Sequence, residues 1–196
     1  FMEFLWSSGI QFAFHHFNDE DDINPKFLYA PNFSIEKKEF DKVHGFDEQF
    51  VFGWQDTDLG LRLGANNIRM VYRKDAIAHH DHPVTFEKFL KREHKAGELL
   101  VPFLEKYKDI IQGDLNAQQS NALYLLNLLP QLEILIEKTK QVEAHCAALE
   151  VVSSEHRKTL YELYSLCFQI IRIQGALTQK SRFLKLVGLS DAQLPT

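Results

Sequence analysis

From Val142 to Ile170, the residues Val142, Cys146, Leu149, Ser153, His156, Leu160, Leu163, Cys167 and Ile170 recur at alternating spacings of three and four. Only a helix brings such positions onto one face. Large apolar side chains gain about 1.5–3 kcal/mol each on full burial, so the stripe needs a cover. A second helix of the chain or a second copy can supply it. Polar Ser153 and His156 interrupt the seam and weaken a continuous coiled coil. The reading therefore favours two or three antiparallel helices within one chain, with Leu149, Leu160, Leu163 and Ile170 facing inward. Residues 115–129 offer an apolar partner helix that ends before Pro130. After Gly113 no strand signal appears, and a last short helix uses Leu184 and Val187 before the chain frays at Leu194-Pro195-Thr196.

The earlier part of the chain has another character. Most of the sixteen Phe fall before residue 104. Ile68, Met70 and Tyr72 alternate with Arg69, Val71 and Arg73, the period of a strand with one buried face. Phe27-Leu28-Tyr29-Ala30 reads as a second, shorter strand. Ser34 is placed to cap a helix over 35–43, and His44-Gly45 to end it, glycine being suited to a left-handed terminator. Asp56 or Thr57 caps the next helix, which carries Leu59, Leu61 and Leu63 and stops at Asn66-Asn67. Thr85 opens a helix over 85–108 that Pro102 breaks or kinks. Residues 1–17 fit a helix or a strand pair, and the acidic run Asn18 to Asp22 reads as a solvated loop. The expected fold is α/β: a small mixed sheet with flanking helices over 1–112, followed by a helical extension over 113–196.

Composition narrows the partners. A net charge of −5 offers no general attraction for nucleic acid or anionic membrane. Cys146 and Cys167 imply no disulfide framework, which suits a reducing, cytoplasmic setting. The opening residues lack a basic leader and a small-residue cleavage site, and the run Asn121 to Leu132 is too short to span a bilayer. Because the chain opens on Phe1-Met2-Glu3, Phe1 reads as an internal position of a longer protein.

The chemistry-bearing stretch runs from Gly45-Phe46-Asp47-Glu48 through Trp54-Gln55-Asp56-Thr57-Asp58 to His80-Asp81-His82-Pro83. Carboxylates at a helix start, with imidazoles on a loop about 25 residues later, are the materials of general bases and metal sites. Asp56 has two readings, a helix cap or a catalytic carboxylate. His80 and His82 lie two apart, so on a strand they share a face and can share a cation. Lys91, Arg92, His94 and Lys95 form a basic face that either meets anionic groups or is simply solvated. Trp54, Phe46 and Phe33 are rings that stack on a sugar or fill a core.

Taken in order, Asn32-Phe33-Ser34, Gly45 to Glu48, Trp54-Gln55-Asp56, Leu59 and Arg62-Leu63 resemble the acceptor-side, C-terminal half of the catalytic domain in family 2 glycosyltransferases. His80-x-His82-Pro83 and Arg92 to Gly97 resemble the same family's continuation, so the resemblance covers about residues 25–110. It implies a partial GT-A-like domain with Asp56 as catalytic base for inverting transfer from a nucleotide-sugar to a glycan or other hydroxyl acceptor. It implies a divalent metal, Mn or Mg, completed by His82 or His80, with His79 third. Trp54, Gln55, Asn32 and Asp58 are the expected substrate-binding residues, and Arg92 and Lys95 the expected diphosphate contacts. Gln55 departs from the family's glutamate, which removes any role needing an anion there.

The family's donor half is not legible here. There is no Gly-rich phosphate loop, and Asp19-Glu20-Asp21 lacks a preceding apolar strand. The chain reads as a truncated piece with little donor binding of its own. A second reading is a non-catalytic interaction module whose helical region, from about residue 114, pairs with a partner or with itself and which carries a degenerate remnant. A His/Asp metallohydrolase is disfavoured because no further His-Asp cluster appears.

Overall fold

The structure, a computed structural model, describes residues 1–194, with the side chains of 111–119 outside the description. The chain forms two compact units, Phe1–Thr85 and Phe86–Thr196.

The first unit has three helices, α1 (Met2–Ser8), α2 (Lys37–Lys42) and α3 (Gln55–Ala65), joined by turns and extended segments. The expected mixed sheet does not form: 68% of the chain is helical and the described residues contain no strand. Physical reasons are local. Over 27–30, Pro25 opens one 3-10 turn and Pro31 sits in another, each proline removing a ladder donor. Over 68–78 the chain is extended only in part. It makes one antiparallel bridge, Asp22 to Val71, supported by Ile23 N–H on Met70 C=O at 2.8 Å and Tyr72 N–H on Asp21 C=O at 3.0 Å. Two short segments without a third are not a stable sheet.

The acidic run is largely exposed, as a solvated loop should be, and it is also tied down. Glu20 pairs with Arg73 at 2.6 Å, and Asp19 accepts the Lys74 N–H at 2.9 Å. Ser34 is not a cap; α2 starts later, after Glu36, because Phe33 and Ile35 pack against the Leu28, Val43, Leu59 and Leu63 cluster. The stop signals hold: Gly45 has φ +65° and Asn67 φ +59°.

α3 settles on the Pro25–Phe27 turn through its small residues. A Cβ at Gly60 would lie 2.0 Å from the Pro25 carbonyl oxygen, and one at Gly64 would lie 2.6 Å from Pro25 Cγ. Arg62 locks the helix from its own side, bonding buried Asp58 at 2.6 and 2.9 Å and the Val43 carbonyl at 2.5 Å.

The second unit is helical: α4 (Phe86–Glu98), α5 (Leu100–Leu128, kinked at Tyr107, which has φ −114° and ψ 16°), α6 (Leu132–Ala148), α7 (Ser154–Ala176) and α8 (Lys180–Leu186). The expected helix over 85–108 is two helices. The break at Leu99 falls where Pro102, lacking an N–H, would crowd the carbonyl one turn earlier. Likewise the seam over 142–170 is not one helix. Ser153 caps α7, its Oγ accepting the His156 N–H at 3.2 Å, and α6 folds back on α7. The polar interruption is thus a hairpin.

The seam is covered within the unit: Leu160, Cys167 and Ile170 are buried, Leu149 and Leu163 half-buried. α7 is the axis, packing on α4, α5 and α6. It crosses α4 where Gly97 meets Gly175, and Phe86, Phe89, Tyr164 and Phe168 fill the space beside the crossing. Arg172 is bonded to buried Glu93 across the same pair of helices. Leu184 and Val187 are buried, as the sequence suggests. The expected role of residues 115–119 in the partner helix, and the fraying at Pro195-Thr196, lie outside the described residues.

Candidate functional site

Gly53 takes φ +98° and turns the chain into α3, leaving Trp54 at the N-cap position without a side-chain cap bond. Asp56 is thereby two residues inside the helix, where the amide dipoles favour a carboxylate. One of its oxygens, Oδ2, accepts the N–H of Ala30 at 3.0 Å, a partner 26 residues away. The carboxylate is thus held from outside its own helix.

Ala30 lies in a wall that continues to both sides. Tyr29 OH accepts the Ala13 N–H at 3.0 Å, and Asn32 Nδ2 donates to the Ala76 carbonyl at 2.7 Å. Phe12 meets Tyr29 edge-on at 5.3 Å and His80 edge-on at 5.6 Å, and His80 lies 5.7 Å from His82. Asp56 and His80 are thus linked through a run of neighbours, Ala30, Tyr29 and Phe12. Both imidazoles and His79 are exposed.

Tyr29 and Asn32 also line a groove of about 530 Å³, walled by Phe14, Phe17, Phe33, Met70 and Tyr72 and rimmed by Arg69 and Glu39. Its size falls in the range of small-molecule sites, roughly 300–1,000 Å³. The aromatic walls Phe14, Phe17 and Tyr72 did not emerge as site residues from sequence. For Phe14 and Phe17 the signal was Phe abundance, and for Tyr72 the alternation over 68–72; neither separates a groove wall from a core.

The remaining expected residues divide. Asp58 is fully buried and committed to Arg62, so its carboxylate anchors α3. Gln55 is half-buried, and its Oε1 is buried with no hydrogen-bond partner among the described residues, at the position where the resembling family has a glutamate. Trp54 is half-buried. Phe46 packs edge-on against Phe40 and Phe33, at 5.7 and 6.5 Å, while keeping 40% of its surface exposed. Arg92 and Lys95 belong to the second unit, where the Arg92 guanidinium lies 5.1 Å from the centre of the Phe89 ring and Lys95 is exposed.

Two imidazoles sharing one ion at about 2.0–2.1 Å have ring centres roughly 5 Å apart, so the 5.7 Å of His80 and His82 suits a pair of donors. Among the described residues no third His, Cys, Asp or Glu joins them, so they are a partial donor set. Likewise among the described residues, no helix is long and apolar enough to cross a membrane. No protein-family model, curated protein or solved structure matches the chain.

Proposed function

We propose that the first unit supplies the acceptor-side machinery of an inverting, nucleotide-sugar-dependent glycosyltransferase, with Asp56 as catalytic base. The observation that carries this is the carboxylate of Asp56, seated in the first turn of α3 and oriented by the Ala30 N–H. The resemblance of Asn32 to Ser34, Gly45 to Glu48 and Trp54 to Asp56 to family 2 glycosyltransferases supports the same assignment. It rests on these motifs and their order, not on a GT-A sheet.

In the proposed step, Asp56 takes the proton of an acceptor hydroxyl as that oxygen attacks the anomeric carbon. The bond from that carbon to the nucleotide diphosphate breaks on the opposite face, and the diphosphate leaves with the electron pair. A carboxylate within hydrogen-bond reach accomplishes this without a covalent intermediate. Trp54 and Asn32 flank the acceptor, and the setting is cytoplasmic. His80 and His82 would help hold a divalent metal, Mn or Mg, whose chemistry when bound is to neutralise charge on the leaving diphosphate.

The test is sugar transfer by the full-length protein against a panel of nucleotide-sugars. Asp56→Asn keeps the shape and the acceptor for Ala30 N–H but removes the base. Turnover is expected to fall by about 10²–10⁴-fold with donor affinity nearly unchanged. A variant with normal kcat would reduce Asp56 to an anchor for the Tyr29–Asn32 segment.

A further inference from the structure

The second unit carries a pair of histidines that the glycosyl-transfer reading does not use. His145 lies in the last turn of α6 and His156 in the first turn of α7, so the hairpin brings them together across the connection at 149–153. Their rings are 5.6 Å apart, tilted at 63°, and both side chains are exposed. That spacing is close to the roughly 5 Å expected of two imidazoles on one tetrahedral ion with bonds of about 2.0–2.1 Å. His156 is also oriented: its Nδ1 lies 2.8 Å from Ser153 Oγ, which accepts the His156 backbone N–H as well. In the tautomer that donates Nδ1–H to Ser153, Nε2 carries the outward lone pair, the arrangement by which hydrogen-bonded neighbours prepare a metal-binding imidazole.

The geometry points to a divalent transition-metal site at His145 and His156 that clasps the loop end of the α6–α7 hairpin. With no diphosphate oxygens to share the ion, as there would be at His80 and His82, this imidazole pair selects borderline ions such as Zn²⁺, Ni²⁺ and Cu²⁺ over the oxygen-seeking Mg²⁺ and Ca²⁺. Among the described residues no third His, Cys, Asp or Glu completes the set, so water fills the other positions and the ion exchanges readily. The site joins the end of one helix to the start of the next. Its effect is therefore to hold the hairpin beyond ties that lie deeper, among them Thr139 with Cys167 and Glu143 with Tyr164.

The experiment uses the full chain with Zn²⁺ as probe and Mg²⁺ as control, in a background with His15→Gln, His80→Gln and His82→Gln to remove the neighbouring histidine pairs of the first unit. Zn²⁺ is expected to raise the unfolding midpoint of the helical circular-dichroism signal by a few degrees, reversibly on chelation, while Mg²⁺ does nothing. Ring resonances of His145 and His156 should shift together in the same titration. His145→Gln and His156→Gln, both at exposed positions, should each abolish the Zn²⁺ shift while leaving the metal-free midpoint nearly in place. Retention of the shift in either single variant would overturn the site. So would ring signals of His145 and His156 that stay put while Zn²⁺ acts elsewhere, or a response to Mg²⁺ equal to that to Zn²⁺.

Discussion

The two units solve the same problem, fixing a chain, by opposite means. In the second unit helices meet face to face: α4 and α7 touch backbone to backbone at Gly97 and Gly175, and the aromatic rings of Phe86, Phe89, Tyr164 and Phe168 fill in beside them. In the first unit most of the chain is not helical. It is tied by single polar bonds between distant residues, separated by 16, 26, 44 and 55 positions for Tyr29, Asp56, Asn32 and Asp19. Helix packing distributes stability over many contacts. Polar ties concentrate it in a few side chains, and three of these, Tyr29, Asn32 and Asp56, belong to the candidate site.

Both tryptophans, Trp6 and Trp54, lie in the first unit, so their fluorescence reports on that unit, whereas the helical circular-dichroism signal is dominated by the second. The largest effect should come from Gly97→Ala, where the new Cβ would stand 2.1 Å from the Arg172 carbonyl oxygen. Backbone cannot yield as a side chain can, so the cost should exceed about 3 kcal/mol, the upper end for overpacking. The helical signal should lose its cooperative transition while tryptophan emission changes little. Gly60→Ala creates a comparable clash with Pro25 and should do the converse. If Gly60→Ala were tolerated, the Pro25 turn would be shown to give way where two helices cannot.

Next in size are truncations of buried side chains. Phe168→Ala, at a fully buried ring, should cost about 3–5 kcal/mol in urea unfolding of the helical signal. Leu59→Ala in the first unit, also fully buried, should cost about 2–5 kcal/mol, read by tryptophan. Equal values would mean the small Leu28, Val43, Leu59 and Leu63 cluster is packed as well as the larger core. A Leu59→Ala cost near the lower limit would mean the irregular chain collapses into the space left behind.

The contrast also explains what the sequence revealed. The heptad spacing over 142–170 indicated helices packed in antiparallel fashion, because burial on one helix face is a local pattern. It did not show that Ser153 and His156 mark a chain reversal, since a polar interruption and a helix cap use the same residue types. Asn67 and Gly45 were legible as stops because positive φ restricts composition. The strand expectation failed because alternation, as in Ile68, Met70 and Tyr72, reports only that one face is buried. It does not provide a partner, and here the extended segment finds a single bridge to Asp22. At the site, the position of Asp56 at a helix start was legible, and its tie to Ala30 was not, because nothing near either residue encodes a bond across 26 positions.

Charged pairs give a smaller contrast. Arg172→Met leaves the Glu93 carboxylate, 4% exposed, without its cation. Breaking a buried pair costs about 3–5 kcal/mol, and the low end is expected because the Arg172 side chain is 34% exposed. Adding Glu93→Leu should recover much of the loss. In the first unit Arg62→Met removes the cation paired with Asp58, at 0% exposure, and also the bond to the Val43 carbonyl. It should therefore be the more damaging of the two, and Asp58→Leu should rescue it only in part. Full rescue would show that the bond to Val43 carries little.

The smallest expected effect is alkaline. Burial pushes the Tyr164 phenol well above its ordinary value, and its hydrogen bond to the Glu143 carboxylate pushes it further. Tyr29 in the first unit is also raised by burial, partly offset by the N–H of Ala13 that it accepts. A group whose folded pKa lies above its unfolded one contributes stability that is complete below the unfolded value, about 10 for tyrosine, and is lost as pH rises beyond it. Both units should therefore weaken above that pH, the second more steeply. Burial raises the Cys167 thiol as well, so part of that slope belongs to it and should begin earlier, above the ordinary thiol value of 9.0. Tyr164→Phe should flatten the alkaline slope of the helical signal without removing it, and Tyr29→Phe should act only on the tryptophan signal. A Tyr164→Phe protein with an unchanged slope would place the alkaline weakness of the second unit on Cys167 instead.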